Sequence, residues 1–322
     1  MATATEIEQR TTVESDRRAR LAVPAVAGGV LYLLSGIILN ATLKELPTVG
    51  VLQGLEPALK GIANPPISPR SAEVKYIDHH AFGLIAGSVL TAMAVIVLTL
   101  VLLFIADCTR FRRPQSFPAA RPLVLAGGIG YALLNLTHEV VLAITAHNFA
   151  NGHDFTGKAV EKALLSSGSL GIVLGLLGLL AALMLTVGMI AVSVGAMRAG
   201  LLPRWLSILG VLSGLLFLPF FATATLQLIP TFWLVATGVL LMGRYPNGDP
   251  PAWAAGESRP WPTQAEVRAK REQEKSGGEG SGSKQPTGGS DQVVNGSNPF
   301  GDVAPAPTPA AATGSRRKRR KR

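Results

Sequence analysis

Residues 81–106 read AFGLIAGSVLTAMAVIVLTLVLLFIA and contain no charged side chain. A helix needs about 20 mostly apolar residues to cross the hydrocarbon core of a bilayer, so this stretch is long enough to span it. Gly83, Gly87 and Thr91 recur in it at four-residue spacing, which lets a second helix approach closely. The stretch therefore predicts a membrane-spanning helix that packs against a neighbour.

The whole chain shares this apolar character. Of its 322 residues, 48% are hydrophobic and 16% are charged, whereas soluble domains carry about 25% charged residues. Its mean hydropathy is +0.34, and its apolar residues fall in long blocks. We therefore predict an all-α integral membrane bundle, with six transmembrane helices at about residues 21–43, 81–106, 122–146, 163–197, 202–221 and 226–243.

We make a further prediction for the block 163–197 and for the turn between the last two helices. The block 163–197 would be more than about 50 Å long at 1.5 Å per residue, which is too long for one straight crossing. We expect its first turns to project outside, or a kink at residues 166–169. The last two helices share one apolar stretch, and the turn between them is expected at Thr223, Ala224 and Thr225.

The loop 44–80 is the longest connection of the bundle and contains five prolines. Apolar residues recur in it at helical spacing, namely Leu52, Leu55, Leu59 and Ile62. This spacing predicts either an amphipathic helix on the outer membrane surface or a lid that packs on the bundle.

The net charge of +10 is unevenly distributed. Arginines are dense in the polar N-terminal segment 1–20 and in two short connectors: Arg17, Arg18 and Arg20, then Arg110, Arg112, Arg113 and Arg121, then Arg198 and Arg204. Lys and Arg are enriched in cytoplasmic loops of membrane proteins. We therefore predict a multi-pass plasma-membrane protein with both termini in the cytoplasm.

The tail 244–322 is rich in Gly, Ser, Pro and Ala, a composition that predicts disorder. It ends in a polybasic run: Arg316, Arg317, Lys318, Arg319, Arg320, Lys321 and Arg322. This run could bind anionic lipid headgroups on the inner leaflet. It could instead bind nucleic acid or ribosomes by charge, without sequence specificity, or be a solvated tail that reinforces orientation.

Ionisable residues cluster towards the outer side in this topology. The candidate site residues are Asn135, His138, Glu139, His79 and His80, while His147 and His153 are expected to be solvated loop residues. Tyr131, Asn135, His138, Glu139 and Leu142 share an arc of about 100° on one helix. Three interpretations stay open: a metal or haem site, a proton-coupled polar pocket, and a hydrogen-bonded contact that fixes helix register.

No motif indicates an enzyme. His138 and Glu139 begin like the zinc-protease HExxH motif, but Leu142 stands where the second histidine is required. The chain has one cysteine, Cys108, so it has no intrachain disulfide and no multi-cysteine metal cluster. The sequence favours a non-enzymatic scaffold or interaction protein with a membrane-protein partner or a second copy of itself. The alternatives are a small-solute or proton-coupled transporter and an outer-face metal or haem protein.

One segment resembles a known family. Residues 195–214 read GAMRAGLLPRWLSILGVLSG and precede a closing helix that contains Pro230. This pattern is similar to that of uncharacterised bacterial multi-pass membrane proteins, a domain-of-unknown-function group with a G-L-L-P-R-W connector. The resemblance covers residues 195–243. It implies a six-helix-type bundle and no assigned activity, and it gives no catalytic or ligand residues to carry over.

Overall fold

A computed structural model describes residues 4–50, 52, 53, 56, 59–62, 67–164, 169–218, 227–245, 250–259, 261, 268 and 269. These residues form helices and no strand, with one isolated bridge between Ile67 and Phe155. The all-helical class predicted from the sequence is confirmed. By its contacts the chain divides into Met1–Thr263 and Gln264–Arg322. Only residues 268 and 269 of the second unit are described.

The helices of the first unit are numbered here in chain order. They are α1 Ala4–Leu43, α2 Ser71–His79, α3 Ala81–Arg112, α4 Ala120–Ala150, α5 Gly157–Leu164, α6 Ser169–Ala199, α7 Arg204–Leu215, α8 Leu228–Leu241 and α9 Pro251–Ala255.

Four of the described helices are long and apolar enough to cross a membrane: α1 from Thr11, α3, α4, and α6 from Gly171. The helices α7 and α8 are apolar but shorter. At 1.5 Å per residue, α7 and α8 extend only about 18 and 21 Å, less than the roughly 30 Å hydrocarbon core. The described residues thus give four candidate spans where six were predicted.

The helices pack in a closed order. The helix α1 contacts α3 and α8, α3 contacts α4, α4 contacts α6, α6 contacts α7, and α7 contacts α8. The most buried span is α3, because it also contacts α6 across the bundle. A second, smaller apolar cluster joins α2, α5 and the C-terminal half of α4, around Val74, Phe149 and Val160. This cluster positions the polar residues at that end.

Glycines set the closest crossings. A Cβ at Gly127 of α4 would meet the backbone of Leu185 on α6, and one at Gly188 of α6 would lie 2.9 Å from the amide nitrogen of Val124. Backbone atoms cannot move aside as a flexible side chain can. The antiparallel pair α4–α6 therefore depends on glycine at both positions.

Buried hydroxyl groups join α1 to α3. The Ser35 hydroxyl lies 2.9 Å from the carbonyl oxygen of Gly87 and 2.5 Å from the hydroxyl of Thr91. Ser35 is 1% exposed. The small residues predicted to allow close approach on residues 81–106 thus lie against α1. Gly83 faces Thr42, and Gly87 faces Leu39.

Several boundaries differ from the prediction. The first helix begins at Ala4 instead of residue 21, so the described part of the polar N-terminal segment is helical. The block 163–197 contains the end of α5 and most of α6. Of residues 166–169, where the kink was expected, 166–168 lie outside the described residues, and Ser169 is the first residue of α6. The turn expected at residues 223–225 also lies outside the described residues.

The predicted loop 44–80 contains the helix α2, which was not predicted from the sequence. Its apolar side is buried through Val74 and Ile77, so this part of the loop packs on the bundle. The amphipathic segment predicted around Leu52–Ile62 is only partly described. Leu52 and Leu59 are each 79% exposed, and Leu55 lies outside the described residues.

Candidate functional site

The bundle has two chemically different ends. The arginine end contains the N-terminal half of α1, the C-termini of α3, α6 and α8, and the helix α9. The histidine end contains the C-termini of α1 and α4 together with α2 and α5. These names follow the residues that gather there, such as Arg18 and Arg112 at one end and His80 and His147 at the other.

His79 and His80 lie at the junction between α2 and α3. The His80 ring stacks on Tyr76 with 4.0 Å between ring centroids, and its Nδ1 lies 3.0 Å from the Tyr76 carbonyl oxygen. The Tyr76 hydroxyl donates to the carbonyl oxygen of Thr42 at 2.8 Å. These contacts attach α2 to the end of α1, so the visible role of His80 is in packing.

His147 has a carboxylate partner, Asp78, that was not predicted from the sequence. Its Nδ1 lies 3.0 Å from Oδ1 of Asp78, and the Asn151 side-chain amide donates to the His147 carbonyl oxygen at 3.1 Å. His147 was expected to be a loop residue, but it lies in the last turn of α4. The pair joins α4 to α2 at the histidine end.

The structure divides the predicted arc on α4. Asn135 and Glu139 are half-buried, whereas His138 is exposed on the adjacent face. His138 lies nine residues before His147, which is about 13 Å along a helix. The structure therefore brings Asp78, His79, His80 and His147 together at the histidine end. His138 and Glu139 lie further along α4, towards the middle of the bundle. No group of three or more His, Cys, Asp or Glu in the described part of the chain could hold a metal ion.

The helix α4 is the most polar and least covered of the four candidate spans. Its most apolar window has a mean hydropathy of 1.4 with 17% of residues buried, against 3.0 and 56% for α3. An ionisable side chain in hydrocarbon costs a few kcal/mol or more unless it faces water or a partner. If α4 crosses a bilayer, its face that carries His138 therefore requires either a partner or water.

The most elaborate polar cluster lies at the arginine end, around Arg112. Its side chain is 0% exposed, and its Nη2 lies 2.7 Å from Oε2 of Glu14 on α1. Its Nε donates to the Ala252 carbonyl oxygen at 3.0 Å, and its Nη1 donates to the Cys108 carbonyl oxygen at 3.2 Å. One guanidinium thus joins α1, α3 and α9.

Trp253 completes this cluster from the other side. The guanidinium carbons of Arg18 and Arg112 lie 5.0 and 5.4 Å from its ring centroid, within the range of cation–π attraction. Its indole nitrogen donates to the Leu201 carbonyl oxygen at 3.1 Å, and its ring stacks on Phe104. We call Glu14, Arg18, Arg112, Ala252 and Trp253 the arginine knot.

The burial of Ala252 and Trp253 in the arginine knot contradicts the predicted start of the disordered tail. The sequence predicts a disordered tail from residue 244, but Ala252 is 0% exposed and Trp253 is 8% exposed. The sequence signal that could have indicated this is a tryptophan pair, Trp253 and Trp261, in an otherwise polar region. The polybasic run lies outside the described residues.

No family model, no curated protein and no solved structure matches this chain.

Proposed function

We propose that this protein is a non-enzymatic, multi-pass plasma-membrane scaffold that holds its C-terminal polybasic tail against the cytoplasmic leaflet. The observation that carries the proposal is the insertion of residues 250–259 into the arginine end through the arginine knot. Arg112 and Trp253 hold residues 250–259, which we call the tail root, against the bundle. Residues 250–259 are therefore fixed at the end of the bundle that is richest in arginine.

The length and composition of the tail support this role. A flexible chain of about 50 residues has an end-to-end distance of roughly 40 Å. A linker of the composition found after residue 269 would therefore be long enough for residues 316–322 to reach the membrane surface. Each basic residue near an anionic leaflet contributes about 1 kcal/mol, so seven together are sufficient for stable contact.

The proposed topology has six crossings, with the arginine end in the cytoplasm. Both the start of α1 and the tail root lie at the arginine end, because Arg112 contacts Glu14 and Ala252. An even number of crossings is therefore required. Four crossings with α7 and α8 as a re-entrant pair would also meet this requirement, so the connection between α7 and α8 is the discriminating segment.

A cysteine placed in that connection tests the count. In a Cys108→Ser background, Ala224→Cys should react with a membrane-impermeant maleimide added from outside the cell. Arg110→Cys on the arginine side should react only after permeabilisation. If residue 224 is labelled neither from outside nor after permeabilisation, the re-entrant pair is supported. Labelling of residue 110 from outside the cell would reverse the proposed orientation.

Binding of the polybasic tail to anionic lipid is tested with the full chain in nanodiscs. Replacing residues 316–322 by seven glutamines should abolish binding to vesicles containing 20% phosphatidylglycerol at low salt. The unaltered chain should bind them and release them at high salt, since the attraction is electrostatic. Equal vesicle binding by the two chains would contradict the proposal.

A second candidate is small-solute or proton-coupled transport. The observation that favours it is the half-buried pair Asn135 and Glu139 on the least covered candidate span. Proton flux into proteoliposomes should then fall with Glu139→Gln and persist with Asp107→Asn, which alters an exposed carboxylate on α3. The metal or haem alternative is tested by metal analysis and an optical spectrum of the purified protein.

A further inference from the structure

A cavity of about 530 Å³ opens at the histidine end, between the last turns of α4 and the helix α5. Ligand-binding pockets usually have volumes of roughly 300–1,000 Å³, so this one could accept a small ligand. Its lining includes the apolar residues Phe149, Ala159 and Ala163. The Thr145 hydroxyl donates to the Ala163 carbonyl oxygen at 2.9 Å, which holds the two walls together.

The rim of this cavity is cationic. Lys158 and Lys162 are one turn apart on α5, so both side chains lie on the same face of the helix. Both are exposed, and neither forms an ion pair with another described residue. Asn148 adds an amide donor from α4. The rim therefore offers two ammonium groups that form no ion pair with a described residue, together with a neutral donor.

The carboxylate in the lining is already engaged. Oδ1 of Asp154 accepts a hydrogen bond from the backbone amide of Thr156 at 3.0 Å. This hydrogen bond holds the pKa of Asp154 below its usual value. The carboxylate thus remains charged at neutral pH, but its single negative charge does not cancel two ammonium groups. The remaining positive charge favours an anion.

The position of the cavity narrows the ligand class. The candidate span α4 ends at Ala150, so the cavity lies where this helix would leave the bilayer. Phosphate groups of phospholipids lie at that level, with apolar chains below them. Lysine binds phosphate as a point charge, and the apolar lining suits the start of an acyl chain. We propose that this cavity binds the phosphate group of an anionic ligand, supplied by a membrane phospholipid or by free phosphate.

The test uses the full chain with the seven-glutamine tail, so that a failure of the tail proposal does not affect the result. The protein is placed in phosphatidylcholine nanodiscs. One arm measures bound phosphatidylglycerol by native mass spectrometry, and the other measures inorganic phosphate by equilibrium dialysis. Lys158→Gln with Lys162→Gln is compared with the charge-matched control Lys44→Gln with Lys60→Gln.

The cavity variant should weaken binding about thirtyfold, because each basic residue near a phosphate surface contributes roughly a factor of five. The control should bind as the parent does. Binding in the lipid arm alone identifies a phospholipid site, and competition by inorganic phosphate identifies a soluble ligand. Equal binding by the cavity variant and the control, or no binding by the parent in either arm, would overturn the proposal.

A second variant distinguishes lipid binding in the cavity from lipid binding by surface charge alone. Ala159→Met keeps both lysines and fills the apolar lining. It should reduce phosphatidylglycerol binding severalfold while leaving the thermal midpoint close to that of the parent. Unchanged lipid binding would show that the charges attract lipid without a cavity, and would also refute the proposal.

Discussion

Glu14→Gln tests the arginine knot most directly, because it removes one charge and keeps the side-chain shape. Arg112 would then hold a buried positive charge without its carboxylate, since its side chain is 0% exposed. Removing one partner of a buried ion pair costs about 3–5 kcal/mol. We expect the lower end, about 3 kcal/mol, because two carbonyl oxygens still accept from the guanidinium.

The single cysteine provides the assay. Cys108 is 2% exposed, and it lines the cleft that separates the N-terminal half of α1 from α3. Reaction with a maleimide therefore requires α1 to open locally. A loss of about 3 kcal/mol corresponds to labelling roughly 100-fold faster, at about 1.4 kcal/mol per tenfold.

The matched control is Asp16→Asn, which changes the same charge on an exposed residue two positions further along α1. Its labelling rate should remain within about twofold of the unaltered protein, since exposed substitutions are usually worth less than 0.5 kcal/mol. The reasoning is refuted if Glu14→Gln labels at the rate of this control.

Three further outcomes are expected. Trp253→Ala should release residues 250–259 from the bundle and make them several times more sensitive to trypsin, because two cation–π contacts of about 0.5–2 kcal/mol each are lost. An unchanged digestion pattern would contradict this prediction. Gly127→Ala should lower the thermal midpoint in detergent, since overpacking costs about 1–3 kcal/mol, whereas Gly175→Ala, with no described neighbour within 4 Å, should not; equal midpoints would contradict the α4–α6 crossing. Ser35→Ala should cost only about 0.6 kcal/mol, typical of hydrogen bonds between membrane helices, and a loss above 2 kcal/mol in chemical unfolding would disprove that estimate.

Local sequence information was sufficient for the helical class. The uncharged run 81–106 lies inside α3, which extends a few residues further to Arg112. The start predicted at residue 122 lies two residues after Ala120, where α4 begins. Such features follow from hydropathy and proline placement, which are properties of neighbouring residues.

The arginine knot could not be predicted in the same way. Arg112 lies 98 residues from Glu14 and 140 residues from Ala252. Helical periodicity carries no information about such distant partners. The acceptor at Ala252 is also a backbone carbonyl, which every residue has. The arginine content of the connector could therefore indicate orientation, but not burial.

The split of the predicted site on α4 has a geometric cause. Adjacent residues on a helix differ by about 100°, so His138 and Glu139 face different surroundings although they are neighbours in sequence. Which of them faces inward depends on where α3 and α6 pack against α4. The sequence identified the polar segment, but the direction of each side chain depends on helices that come earlier and later in the chain.

The arginine knot also has a consequence for the order of biogenesis. Its members come from nearly the first and nearly the last residues of the bundle, at Glu14 and Trp253. A ribosome must finish all the intervening segments before the Nε of Arg112 can donate to the Ala252 carbonyl oxygen. Nascent chains that stall before residue 252 would leave this buried Nε donor without its acceptor, a defect that membrane quality-control proteases could recognise as a mark of incomplete synthesis.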